Sequence, residues 1–142
     1  MKKCICRFLF SSDSDSNPGL LALRVFTGIA MMTHGYGKLF VRFEAFAEGL
    51  GGRGFPIPAV LAFLTGFIEF FGGLFVALGF MTRFWALSMA VVMVIAAFVI
   101  HHGDPFAERE LALFFLFVCF FLTTKGGGRF SADRLISGQL EN

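Results

Sequence analysis

The chain has 142 residues, of which 56% are hydrophobic and 15% are charged, and its formal net charge is only +2. A water-soluble domain of this size cannot bury so much apolar surface, so the composition indicates a membrane protein with the lipid bilayer as its main partner. The basic residues are spread along the chain instead of clustered, which argues against a nucleic-acid-binding surface. The length suffices for one domain.

Residues 1–18 are predicted to form a flexible cytoplasmic tail. The apolar stretch in MKKCICRFLF is too short for a signal peptide, and SSDSDSNPG follows it without a convincing cleavage site. Cys4 and Cys6 lie in this tail as a C-x-C pair, but two thiols alone rarely bind a metal, so no metal site is predicted. Cys119 lies in an apolar run and is expected to pack in the core.

Four segments qualify as membrane-spanning helices, each of which needs about 20 mostly apolar residues. Glycines such as Gly66, Gly72 and Gly73 would allow these helices to approach closely. The predicted fold is an all-α membrane protein, a bundle of four transmembrane helices within residues 19–125, followed by a cytoplasmic C-terminal tail, residues 126–142. The spans are expected at residues 20–40, 58–81, 83–101 and 105–124.

The first two spans are separated by VRFEAFAEGLGGRGFPIP, in which VRFEAFAEGL suits a short interfacial helix and GGRGFPIP a turn-rich break. The basic residues orient the bundle, because seven fall on one side and three on the other. By the positive-inside rule both termini are then cytoplasmic. The larger group is Lys2, Lys3, Arg7, Arg83, Lys125, Arg129 and Arg134, and the smaller is Arg42, Arg53 and Arg109.

Several polar residues lie inside the predicted spans, where charges are costly and normally face the interior of a bundle. On the first helix they share one narrow arc, which comprises Arg24, Thr27, His34 and Lys38. Glu69 stands near the middle of the second helix, and a buried carboxylate must find a cation or take up a proton. Arg24 is nearer the cytoplasmic end, from which it could reach toward Glu69 or anchor to lipid phosphates.

The polar stretch VIHHGDPFAEREL, residues 99–111, joins the third and fourth spans. Asp104 and Pro105 suggest a helix N-cap and first turn, and Glu108 suits the positive end of the fourth helix. By depth, His101 and Glu110 share the outer half of the bundle with the polar residues of the first hairpin. Candidate catalytic residues are therefore Glu69, His34, Lys38, His101 and Glu110. Two alternatives remain for these residues. Lys38 could simply extend to the interface. The other four, Glu69, His34, His101 and Glu110, could form a purely structural ion-pair network.

In this order and spacing, four motifs resemble the DoxX family of small inner-membrane proteins. LALRVFTGIAMMTHGYGKLF resembles the first helix of the family, and GFIEFFGGLFVALGFMTR resembles the second. HHGDPFAERELALFFL is similar to its third-to-fourth helix turn, and GGGRFSADRLI to its GPGRYSLD tail, with Gly127 where the family often has proline. The resemblance implies a multi-pass protein of the bacterial inner membrane.

The family is related to the membrane subunit of a thiosulfate:quinone oxidoreductase, and other members are linked to membrane redox complexes and stress responses. The resemblance therefore implies a quinone-interacting membrane subunit, although the sequence leaves open whether this chain is catalytic. Lys38 or His34 would polarise a quinone carbonyl, and Glu69 or Glu110 would relay protons. Arg24, His34 and Lys38 are the candidates for holding the quinone. Electrons would come from a partner protein, because no flavin, dinucleotide or iron–sulfur motif is present.

Three alternatives remain at this point. The intramembrane acid is also what a proton-coupled transporter needs. A non-catalytic scaffold would dock a partner enzyme through the basic tail GGGRFSADR. A haem held by His34 and His101 is a weaker idea, because two histidines in one bundle are a thin signal. The sequence does not decide the oligomeric state, and a homo-oligomer is compatible with it.

Overall fold

A computed structural model describes residues 17–140, which form six α-helices and contain no strand. Two of the helices are extended by π-helical turns, the first over Gly37–Val41 and the second over Ala96–Ile100. The predicted all-α class is confirmed, while the predictions for residues 1–16 lie outside the described residues. The helices are α1 (Pro18–Tyr36), α2 (Phe43–Gly52), α3 (Pro58–Leu78), α4 (Thr82–Ile95), α5 (Phe106–Lys125) and α6 (Ala132–Leu140).

Local sequence accounts for where the long helices begin and end. At the start of α1, the Asn17 side chain accepts a hydrogen bond of 2.8 Å from the Gly19 amide, and Pro18 occupies the first helical position. Helix α3 also starts with a proline, Pro58, and it ends at Gly79, whose φ of 73° closes the helix in the left-handed region. With the π-helical turns included, the four long helices match the predicted spans to within a few residues.

Two helices of the described residues are long and apolar enough to cross a membrane, judged by length and composition alone. They are α3 (Pro58–Leu78) and α4 with its π-helical turn (Thr82–Ile100). Helices α1 and α5 are of similar length but carry charged residues. Large apolar side chains cover the outside of the molecule, as is typical of a surface that faces lipid, and examples are Phe26, Phe117 and Phe120.

The long helices pack as two pairs, α1 with α3 and α4 with α5, and contacts between α3 and α4 join the pairs. Glycines bring the backbones of α1 and α3 together. A Cβ atom on Gly28 would lie 2.5 Å from the carbonyl oxygen of Gly73, and one on Gly35 would collide with the backbone nitrogen of Phe70. Helix α2, where an interfacial helix was predicted, packs on α3 and on the first π-helical turn. Cys119 is buried in the core, as predicted.

The C-terminal segment folds back onto the end of the bundle where α1 begins. The buried Arg24 side chain donates to the carbonyl oxygens of Gly127 and Phe130, the latter at 2.7 Å. The Asp133 carboxylate accepts hydrogen bonds from the amides of Met81 and Thr82, at 2.7 and 3.0 Å, and so caps the start of α4. Residues 127–133 are thus bonded to the helices, and most of GGGRFSADR is held there by these hydrogen bonds.

Replacing Gly35 by leucine is expected to force α1 away from α3. A side chain at this position meets the Phe70 backbone, and it also lies 2.8 Å from the carbonyl oxygen of Gly66. Overpacking of this kind costs about 1–3 kcal/mol, and the free energy of unfolding in detergent should fall by that amount. The matched control is Gly52→Leu, because nothing lies within 4 Å of a Cβ there. Equal losses of stability in both variants would contradict the close approach of α1 to α3 at Gly35.

Replacing Asp133 by alanine is expected to lower the free energy of unfolding by about 2 kcal/mol. The substitution removes the acceptor for two amides at the start of α4 and for the Thr82 hydroxyl, which donates at 2.8 Å. Denaturant titration followed by the fluorescence of Trp85 measures the change. The exposed neighbour provides the control, since Arg134→Ala should change stability little. A stable Asp133→Ala variant would show that α4 does not need this cap.

Candidate functional site

A cavity of about 160 Å³ lies between α1, α3, α4 and α5, at the end of the bundle opposite the C-terminal segment. Its walls are mostly apolar. Its polar side chains belong to α1 with its π-helical turn, to α3, to α5 and to the turn before α5. Four of the five candidate catalytic residues line it. The lining residues are Met31, His34, Lys38, Glu69, Met93, Ala96, His101, Glu108, Leu111, Ala112 and Phe115.

The centre of the site is an ion pair between Lys38 and Glu69. The Lys38 Nζ atom lies 2.5 Å from Glu69 Oε1, and the Glu69 side chain is completely buried while that of Lys38 is 28% exposed. Lys38 stands on the first π-helical turn, and Glu69 faces α1 from the middle of α3. The ammonium also lies 5.3 Å from the ring centre of Phe46 on α2, in a cation–π contact.

The second oxygen of the buried carboxylate, Glu69 Oε2, has no hydrogen-bond partner among the described residues. Buried polar atoms are nearly always satisfied, because leaving one unpaired costs about 1–3 kcal/mol. Glu69 also lines the cavity, so the incompletely satisfied carboxylate belongs to its wall. Three or more His, Cys, Asp or Glu side chains arranged to hold a metal ion do not occur within residues 17–140.

His34 stands where α1 meets α5. Its ring makes an edge-on contact with Phe115, with the ring centres 6.0 Å apart. The rest of α1 and α5 touch each other only sparsely, so this contact is a main point at which the two helix pairs meet on that side. His34 is exposed overall although it lines the cavity, which indicates that the cavity is open beside it.

His101 follows the second π-helical turn, and its Nδ1 atom lies 2.9 Å from Asp104 Oδ2. Asp104 was predicted to cap the fourth long helix, and this prediction was wrong. Pro105 occupies the N-cap position of α5 without any side-chain hydrogen bond, which leaves Asp104 one residue too far from the helix. Its carboxylate is therefore free to pair with His101 instead.

Two further candidates lie outside the cavity. Glu110 is exposed and does not line it, whereas Glu108, expected to act only through the helix dipole, does. Helix periodicity separates the two acids, because Glu108 shares a face with Leu111, Ala112 and Phe115 while Glu110 points about 200° away. Arg24 is at the opposite end, where its described hydrogen bonds go to Gly127 and Phe130 and not to Glu69.

The two π-helical turns are the feature that the sequence did not reveal. The first carries Lys38, and the second carries Ala96 and ends at His101, so each turn delivers residues to the cavity. Both close through bonds five residues apart, from the Arg42 amide to Gly37 at 2.9 Å and from the His101 amide to Ala96 at 3.0 Å. Such turns are rare and occur frequently at functional sites.

Replacing Lys38 by methionine is expected to lower the free energy of unfolding by about 3 kcal/mol, because it leaves the buried Glu69 carboxylate without a cation. The double variant Lys38→Met/Glu69→Met should recover to within about 1 kcal/mol of the original protein, since apolar side chains of similar volume can replace a buried ion pair. Denaturant titration of all three proteins tests this. A double variant no more stable than the single one would mean that the two residues are not coupled.

Comparison with known proteins agrees with this architecture. The family model of DoxX matches residues 19–102, which contain every cavity residue except those of α5. The chain is 33% identical over 129 residues to "Inner membrane protein YqjF" of Escherichia coli (strain K12), which covers 84% of this chain and 92% of that protein.

It is also 32% identical over 117 residues to "Putative oxidoreductase CatD" of Bacillus subtilis (strain 168), which covers 80% of this chain and 83% of the relative. The comparison with solved structures finds no match. The family model matches more than half of the chain, and a relative aligns along most of it. The protein belongs to the DoxX family and is a membrane protein.

Proposed function

We propose that this protein is a quinone-binding membrane subunit of a redox complex, and that its cavity holds the quinone ring beside the Lys38–Glu69 ion pair. The observation that carries the proposal is the fully buried Glu69 carboxylate. It is paired on one oxygen, and its other oxygen has no hydrogen-bond partner within residues 17–140. The name of the Bacillus relative, an oxidoreductase, supports the same reaction class.

The proposal includes four membrane spans with both termini in the cytoplasm. Helix α5 has 20 residues, which make a length of about 30 Å and match the hydrocarbon core of a bilayer. The charged residues of α1 do not oppose a span, because Arg24 is buried near one end and Lys38 is paired near the other. The positive-inside rule then places the cavity in the outer half of the membrane.

The size of the cavity suits a single ring. A cavity of roughly 150 Å³ holds one benzene molecule, and the space here is about 160 Å³. A quinone head group fits such a volume, whereas a porphyrin is much larger. The apolar side chains of Met31, Met93 and Phe115 would contact the faces and edges of the ring.

The polar groups lie at suitable places for quinone chemistry. Reduction of a quinone to a hydroquinone takes two electrons and two protons. An ammonium group has three donors, so Lys38 can bind Glu69 and still donate to a carbonyl oxygen. Glu69 Oε2 can accept a hydrogen bond from a hydroquinone hydroxyl, and Glu69 and His34 can relay protons that reach them from outside the cavity. The electrons would come from a reduced partner protein with its own redox cofactor.

Binding of a short-chain ubiquinone to the purified protein in mild detergent tests this function. We expect saturable binding, with an affinity at least about tenfold lower for Glu69→Gln, because hydrogen bonds to charged groups contribute about 1.5–3 kcal/mol. Isothermal titration calorimetry gives the affinities, and a reduced-minus-oxidised absorbance spectrum shows any quinone retained during purification. Equal affinity in the original and variant proteins would exclude the ion pair as the binding site.

A control separates the site from general effects on the detergent complex. Glu48→Gln changes the same functional group on α2, where the side chain is exposed and does not line the cavity. This variant should bind the ubiquinone as the original protein does. If it loses affinity to the same extent as Glu69→Gln, the quinone is binding somewhere other than the cavity.

A further inference from the structure

The pair formed by His101 and Asp104 lies at the edge of the cavity and is separate from the central ion pair. Its side chains are 34% and 46% exposed at the surface of the protein, while His101 also lines the cavity. The Asp104 carboxylate does not cap α5, and its described hydrogen bond is the one to the imidazole. A role for Asp104 must therefore act through His101.

The hydrogen bond decides which nitrogen of the imidazole carries the proton. A carboxylate accepts hydrogen bonds and does not donate them, so in a neutral imidazole the hydrogen is assigned to His101 Nδ1 and the lone pair to Nε2. A histidine whose tautomer is set by a partner in this way is ready to accept a proton on the other nitrogen.

The fold holds this pair beside the buried carboxylate. The His101 amide donates to the Ala96 carbonyl and closes the second π-helical turn, so the backbone position of the histidine is set by α4. The buried Glu69 lines the same cavity, and its Oε2 has no hydrogen-bond partner among the residues that the structure describes. The ionisable groups that share the cavity with His101 are Glu108 of α5, Glu69 of α3, and His34 and Lys38 of α1 with its π-helical turn.

We propose that Asp104 is a positioning residue that sets the tautomer and orientation of His101, and that His101 transfers protons between the outside water and the cavity. This inference rests on the proposed function for its substrate. For each proton, His101 Nε2 accepts it from water at the mouth and donates it to a cavity acceptor, which is Glu69 or a quinone oxygen. Nδ1 stays bonded to Asp104 throughout, and no electron moves in this step.

Nitrogen NMR of the complete protein, labelled with ¹⁵N-histidine, tests the geometry without any quinone. The chain has only three histidines, and His102→Gln removes the one that does not line the cavity. In this background we expect the His101 ring to carry its proton on Nδ1, and Asp104→Asn to abolish that preference. A proton found on Nε2 in the unaltered pair would overturn the proposal. Glu44→Gln, an exposed change on α2, should leave the spectrum unchanged.

A second variant tests communication across the cavity. Glu69→Gln is expected to shift the His101 ring nitrogen signals, because both side chains line the same small space. Since Glu69 does not contact Asp104, a shift cannot be explained by loss of the surface pair. If the ring signals are unchanged, His101 and Glu69 do not share a proton path, and the inference is wrong even if quinone binds.

Stopped-flow measurement of proton uptake tests the function of the pair. Reduction of the bound ubiquinone by two equivalents of reduced methyl viologen, a one-electron donor whose oxidation releases no proton, consumes two protons per quinone, which a pH dye in the solution records. We expect Asp104→Asn to slow the uptake about tenfold or more while the affinity for ubiquinone stays the same. Added imidazole should restore the rate in His101→Ala, and a failure to restore it would show that the histidine is only structural.

The two proposals can fail separately. If the protein does not bind the ubiquinone, the quinone function is wrong. The NMR measurements of the His101 tautomer and of its response to Glu69→Gln still test whether the His101–Asp104 pair transfers protons to the cavity. If the quinone binds and Asp104→Asn takes up protons at the original rate, the quinone function stands and the proton role of the pair is excluded.

Discussion

The structure depends on one constraint, which is that a carboxylate in the middle of an apolar helix bundle requires a cation. Glu69 is fully buried on α3, and the Lys38 ammonium satisfies one of its oxygens at 2.5 Å. This pairing sets the relative position of α1 and α3, and the glycines between them make it geometrically feasible, because Gly28, Gly35 and Gly73 allow the two backbones to touch. The cavity exists beside this pair because bulky side chains do not fill the space around it.

The polar side chains at the two ends of the bundle make different kinds of contact. At one end, Arg24 and Asp133 form hydrogen bonds with backbone groups of neighbouring segments. Each of these buried charges therefore links two elements. At the other end, His34, Lys38 and His101 border an open cavity, and the polar groups are only partly satisfied. A firmly bonded end can support an end that, in the proposed function, would exchange a ligand and protons.

The π-helical turns connect the fold to the site. Each interrupts the regular hydrogen-bond pattern of a long helix near the cavity, and each shifts the side chains that follow by part of a turn. Lys38 lies in the first, and His101 closes the second. The Lys38 ammonium therefore lies on the α1–α3 pair and the His101 imidazole on the α4–α5 pair, and both line the same cavity as the buried Glu69 carboxylate. The same continuous α3 carries Glu69 without a break, an arrangement unlike the discontinuous helices that transporters use.

The sequence by itself determined the helical class, the approximate helix limits and the face of α1 that carries polar residues, because hydrophobic periodicity and length depend on local spacing. It also identified Glu69 as the residue that needs a partner. Only the tertiary structure decided that Lys38 is the partner and not Arg24, that Asp104 pairs with His101, and that Glu108 and not Glu110 lines the cavity. Those outcomes depend on helix rotation, on the π-helical turns and on the folding back of residues 127–133. All three are set by long-range packing that local patterns do not encode.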